Sequence, residues 1–217
     1  PLRSLRHSIR CAIKRLAIRI MHGKKLPLSV VAAAISACAL EPESLNSERI
    51  EGRFGTYGIE VLSNEAGLRR SNLYSTEDGM RTCRTYAVVR FTGESSTLVD
   101  TEHEQILAGN SIGAIFKANG WSIHKESLYL GTLRLDQAMN RIADLMRVDI
   151  DTEVAMHIYR LLLEKDGQAL EYATIMELHH PEYLGKGDLD EMYEPSSDRP
   201  LEPQQLEEFK MLGLDAA

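Results

Sequence analysis

Lys165-Asp166-Gly167-Gln168 stands between two alternating apolar runs, Val154–Glu164 and Ala169–Leu178. Asp-Gly supplies the positive backbone angles that a tight hairpin needs, so the two runs are expected to pair as antiparallel strands. Strands joined so closely cannot be parallel neighbours, because a parallel crossover takes a dozen residues or more. The same grammar recurs upstream. Phe54–Leu62, Leu68–Tyr74 and Met80–Phe91 read as strands, separated by the turn-forming stretches Ser63–Gly67 and Ser75–Gly79. Three strands with such short connections predict an antiparallel meander.

Between the meander and the hairpin the period changes. Ile106, Ile112, Ile115 and Phe116 recur at helical intervals over Glu102–Asn119, with Asn119-Gly120 as the stop signal. Trp121–Leu130 is strand-like, with Trp121, Ile123 and Lys125 on one side. Leu133–Met146 is again helical through Leu135, Met139, Ile142 and Met146. Asp188–Tyr193 reads as a short helix, and residues 194–217 as a flexible tail with one further helical stretch. Strands, helix, strand, helix and hairpin, in that order, imply an α+β domain over residues 54–193. The expectation is a single antiparallel β-sheet with about two helices packed on one face.

The charge is divided unevenly along the chain. The whole sequence has 25 basic and 32 acidic residues, yet its first 40 residues hold eight Lys or Arg and no acid. Residues 41–217 therefore carry a formal excess of about 15 negative charges. A body so acidic has no footprint for a phosphate backbone, which argues against nucleic acid as a partner. Within the acid-free opening, Lys24 and Lys25 precede an apolar run from Leu26, which ends in Ile35-Ser36-Ala37-Cys38. Basic, apolar and small residues in that order have the layout of a secretory signal peptide. With the cysteine that follows, they resemble the lipobox of bacterial lipoproteins. The resemblance implies a signal peptide over 21–37, cleavage before Cys38 and palmitate-type lipidation of Cys38. Ala39 then directs the protein to the cell outer membrane, facing the periplasm, and Cys38–Arg53 serves as a polar tether. Residues 1–20, ahead of Met21, read as an extended or spurious leader. An alternative treats the Arg-rich opening as a targeting leader on a soluble protein.

Cys11, Cys38 and Cys83 are the three cysteines; processing and lipidation would leave Cys83 alone, placed in a strand as a small buried hydrophobe. Candidate metal ligands are His103, flanked by Glu102 and Glu104, and the pair His179-His180, which follows Glu177 at a strand end. Imidazole and carboxylate groups are the donors zinc takes, but no HExxH or CxxC spacing accompanies them. His157 is expected to pack within the sheet. Gly109-Asn-Ser-Ile-Gly113 fits neither nucleotide fingerprint, and Ser111 lacks a nucleophile elbow. Glu60 and Glu171 fall on separate polar faces, so no glycosidase-type pair arises. Tyrosines spread over the strands suit half-buried sheet surfaces. The sequence supports a lipid-anchored envelope protein with a binding or structural role and a periplasmic protein partner. Its rival is a metal-dependent envelope enzyme using His103, His179 and His180.

Overall fold

The computed structural model describes residues 44–92, 97–194 and 202–214. The lipobox, Cys38 and the leader lie outside the described residues. The body begins with helix α1 (Asn46–Phe54), followed by β1 (Gly58–Glu65), β2 (Leu68–Glu77) and β3 (Met80–Phe91). Two short helices follow, α2 (Asp100–Leu107) and α3 (Ile112–Ala118), then β4 (Ser122–Arg134). A 3-10 turn (Gln137–Met139) runs into α4 (Asn140–Met146), and the hairpin of β5 (Glu153–Lys165) and β6 (Gln168–His179) comes next. Helices α5 (Lys186–Met192) and α6 (Pro203–Leu214) complete the described elements.

The strands form one six-stranded antiparallel sheet in the order β1-β2-β3-β6-β5-β4. The fold is α+β, as the sequence predicts. All three tight turns use the expected geometry. Ala66-Gly67, Asp78-Gly79 and Asp166-Gly167 each place two consecutive residues at positive φ, between 50° and 78°. The central strands β3, β6 and β5 are buried on both faces, which makes them the spine of the molecule.

Helices pack on both faces of this sheet rather than on one. Tyr86, Val88, Met156, Ile158, Met176 and Leu178 face α4, whose Ile142, Ala143 and Met146 are buried against them, and Phe209 of α6 joins this core. Val89, Leu161, Ala173 and Ile175 face the other way, toward Val99, Ile106 of α2 and Phe116 of α3. Alternation explains the division, since neighbouring strand residues such as Val88 and Val89 point to opposite faces. Helical periodicity shows that a helix has an apolar stripe but not which side of the sheet receives it.

Three boundaries differ from expectation. The single helix expected over Glu102–Asn119 is two helices, because Gly109 adopts φ 109° and ends the first. β4 runs on to Arg134 before the helix that begins near Gln137. Residues 46–53, expected to belong to a tether, and Phe54, expected to open the first strand, form a helix with Asn46, Arg49 and Ile50 buried, and the first strand begins only at Gly58. Cys83 is fully buried, as expected of a small hydrophobe, and burial pushes its thiol pKa up.

Candidate functional site

Helix α1 does not cover the sheet with apolar side chains alone. Ile50 is buried, but next to it Asn46 and Arg49 carry polar groups into the interior. Asn46 helps to enclose a cleft over the face shared with α2 and α3. Its floor is drawn from β2, β3, β6, β5 and β4 through residues such as Leu73, Ala87, Ile175 and Leu161, and its mouth is formed by Leu45 and Ser47 opposite Ser111 and Gly113. The cleft volume is about 80 Å³. Pockets for drug-sized ligands run to roughly 300 Å³ or more, so this one suits a compact molecule.

The mouth is narrow because α1 and α3 approach closely there. A Cβ on Gly113 would come within 2.6 Å of Leu45 Cδ2. Beside this contact Lys117 pairs with Glu48 across the two helices. Glu48 also accepts a hydrogen bond from the backbone N–H of Leu45 at 3.1 Å, fixing the first turn of α1.

Three charged side chains line the cleft: Arg69, Lys125 and Glu177. Arg69 is 1% exposed. Its Nε donates to Ser71 Oγ at 3.0 Å, and its two terminal nitrogens donate to the carbonyls of Ile106 (2.7 Å) and Asn110 (3.0 Å). Those carbonyls lie at the C-terminal end of α2, where a cation is favourable. No carboxylate pairs with Arg69 among the described residues, and each terminal nitrogen keeps a second N–H. A buried guanidinium ordinarily requires a full counter-charge, and this one has only partial charges.

At the other end, Glu177 is 5% exposed on β6. Its Oε1 accepts from Asn46 Nδ2 at 2.7 Å and from the Tyr159 hydroxyl at 3.0 Å. Its Oε2 has Lys125 Nζ at 3.6 Å and His179 Nε2 at 3.7 Å, both too long for hydrogen bonds. Burial opposes ionisation of Glu177, but Lys125 above all, with His179, His157 and Arg49 after it, draws the carboxyl below its usual range. Lys125 in turn lies over the Tyr159 ring at 4.4 Å and makes no hydrogen bond among the described residues. The polar groups at this end are left under-satisfied: His179 Nε2 and, behind it, His157 Nδ1 are buried without partners. Such groups are uncommon in folded proteins.

The two histidines are held neutral. His157 is stacked between Tyr159 and Tyr193, with Ser127 Oγ 2.9 Å from its Nε2; burial and the nearby Lys125 lower its pKa to about 2. His179 places Nδ1 3.1 Å from Thr85 Oγ1, and burial lowers it to about 4. His157 thus packs within the sheet as the sequence predicts.

The three histidines named as metal ligands lie apart. His103, on α2, places Nδ1 2.8 Å from the Tyr172 hydroxyl and packs edge-on to Phe91. It borders a second cavity of about 380 Å³, with Phe91, Leu107 and Tyr172. Tyr172 and His179 are seven residues apart on β6, about 23 Å at ordinary strand rise. His180 leaves the strand and turns toward Arg84 and Glu182, its Nδ1 accepting the Glu182 backbone N–H at 3.0 Å. Among the described residues no trio of His, Cys, Asp or Glu is arranged to hold a metal ion. Ser111 lies at the mouth of the cleft, and Gly113 lets α3 approach Leu45 closely.

No known protein family matches the chain, and no curated protein is similar to it. Among solved structures, it is similar to a transcriptional regulator of the GntR family from Enterococcus faecalis V583, at 10% identity and a TM-score of 0.33. That match covers 59% of this chain and 92% of the other.

Proposed function

We propose that this chain is a lipid-anchored protein of the bacterial cell envelope whose body binds a small organic anion in the cleft beneath α1 and α3. The observation that carries the binding reading is Arg69, a buried cation that lines the cleft and has no carboxylate partner among the described residues. Lys125 adds a second cation with unused donors, so the lining carries two positive charges against the one negative charge of Glu177. Binding is favoured over acid–base catalysis. Glu177 is held ionised well below neutrality and both buried histidines are held neutral, so none is poised to exchange a proton near pH 7.

Anchoring rests on the order of Lys24-Lys25, the apolar run and Ile35-Ser36-Ala37-Cys38. The acidic body, turned toward the periplasm, then selects its ligand by the local field of the cleft rather than by net charge.

Titrating the full chain with acetate, a carboxylate small enough for a cleft of about 80 Å³, with acetamide as the neutral control, tests the binding. The acid should bind and the amide should not, and Arg69→Met should weaken the acid by about tenfold, as expected for a charge-assisted contact. Equal binding of acid and amide, or none of either, contradicts the reading. Labelling cells with a palmitate analogue tests the anchor: label on the wild-type chain should vanish in Cys38→Ser.

A further inference from the structure

We infer a second binding site, separate from the anion cleft: the cavity beside His103 takes an uncharged aromatic molecule the size of a fused pair of rings.

Volume sets the size. The cavity measures about 380 Å³. A cavity of about 150 Å³ holds benzene, so this one has room for a further fused ring and a small substituent. The cleft beneath α1 and α3, at about 80 Å³, is too small for such a molecule. The residues joining Thr92 to Thr97 are Gly-Glu-Ser-Ser, which carry no apolar side chain to fill the space.

The walls set the class. Phe91, His103 and Tyr172 line the cavity and meet one another edge to face, with ring centroids 5.0 to 5.8 Å apart. A ligand ring laid against them extends the arrangement that aromatic quadrupoles favour. Val99 and Leu170 add apolar surface inside. The apolar surface continues to the mouth, where Leu107 is 42% exposed and Leu98, next to Val99, is 46% exposed. Only Met80 joins them as a large apolar side chain so open to water among the described residues. Apolar surface left in water at the mouth of a cavity is what a ligand of this kind covers.

The polar lining sets the charge. Glu65, at the end of β1, lines the cavity, and no Lys or Arg does. A carboxylate on the ligand would meet an acid with no cation to offset it. His103 has one ring nitrogen to offer. Its Nδ1 lies 2.8 Å from the Tyr172 hydroxyl, while Nε2 makes no hydrogen bond among the described residues. A neutral hydroxyl suits that nitrogen in either tautomer, since it both donates and accepts.

The test is calorimetry on the full chain with 2-naphthol, decahydro-2-naphthol and 2-naphthoate, which share one fused-ring skeleton. The aromatic alcohol should bind about tenfold more tightly than its saturated counterpart, which makes no edge-to-face contacts, and about tenfold more tightly than the carboxylate. Leu170→Trp, at a half-buried position, should fill the cavity and remove naphthol binding, with urea unfolding showing that the variant is folded. Equal affinities across the three probes, a preference for the carboxylate, or no binding of 2-naphthol at millimolar concentration would overturn the inference. Undiminished binding to folded Leu170→Trp would overturn it too, by placing the ligand elsewhere. The probe series on the unaltered chain decides the matter if that variant does not fold. None of these outcomes bears on acetate binding in the other cleft.

Discussion

Lowering the pH from 7 to 5 should destabilise this fold through two buried histidines. In the unfolded chain each titrates near 6.5, whereas in the folded chain His179 is lowered to about 4 and His157 to about 2. The groups facing them are Lys125 and Arg49, which oppose protonation, and Glu177, which favours it. Because the folded values are depressed, the neutral forms belong to the native state and protonation favours the unfolded one. Stability is full above about pH 6.5 and falls as the pH drops toward the folded values. At pH 5 linkage gives a loss of about 2 kcal/mol for each histidine, about 4 kcal/mol together. That is a large fraction of the total stability of an ordinary domain. His180, also lowered by burial, acts in the same direction. Glu177 contributes little in this window, since its unfolded value is already below 5 and its folded value is lower still. Urea unfolding of the full chain at pH 7 and pH 5, followed by circular dichroism, measures the difference. His157→Gln and His179→Gln should each remove about half of the pH dependence, whatever they do to stability at pH 7. Equal stability at the two pH values would refute the claim that these side chains are buried and neutral.

Other consequences are as direct. Ile50→Ala, which empties a fully buried position on α1, should cost about 3 kcal/mol in chemical denaturation, and a surface-like cost under 0.5 kcal/mol would show that α1 is not docked. With Cys11 and Cys38 replaced by serine, Cys83 should resist a thiol reagent in the native chain and react only on unfolding, because it is fully buried and its thiolate is disfavoured. Gly113→Val should obstruct the mouth of the cleft against Leu45 and slow carboxylate association more than it lowers stability. Stopped-flow rates unchanged by that substitution would place the path into the cleft elsewhere.

The strands were legible because their signals are local. Asp78-Gly79 and Asp166-Gly167 write the turn geometry directly into two residues, and alternation on either side fixes which residues share a face. Helix α1 was not legible. It is nine residues long, mostly polar, and begins after Leu45 rather than a side-chain cap, so its stability comes from Ile50, Asn46 and Arg49 meeting the sheet. The cleft was hidden for a different reason. Arg69, Lys125 and Glu177 come from β2, β4 and β6, and only the order β1-β2-β3-β6-β5-β4 brings them onto one floor. A trace of it was present all the same: Lys125 is in phase with Ile123 and Arg69 with Leu73, which puts charges at core-facing positions of strands. The candidate histidines are separated because His103 lies on α2 against Tyr172, while His179 ends β6 seven residues beyond that tyrosine.

Where an organic anion settles on this protein can be seen outright. Crystals of the chain soaked with dichloroacetate should show the chlorine anomalous signal beneath Leu45 and Gly113, with the carboxylate toward Arg69. Chlorine in the cavity beside His103, or none in either cavity, would contradict the account.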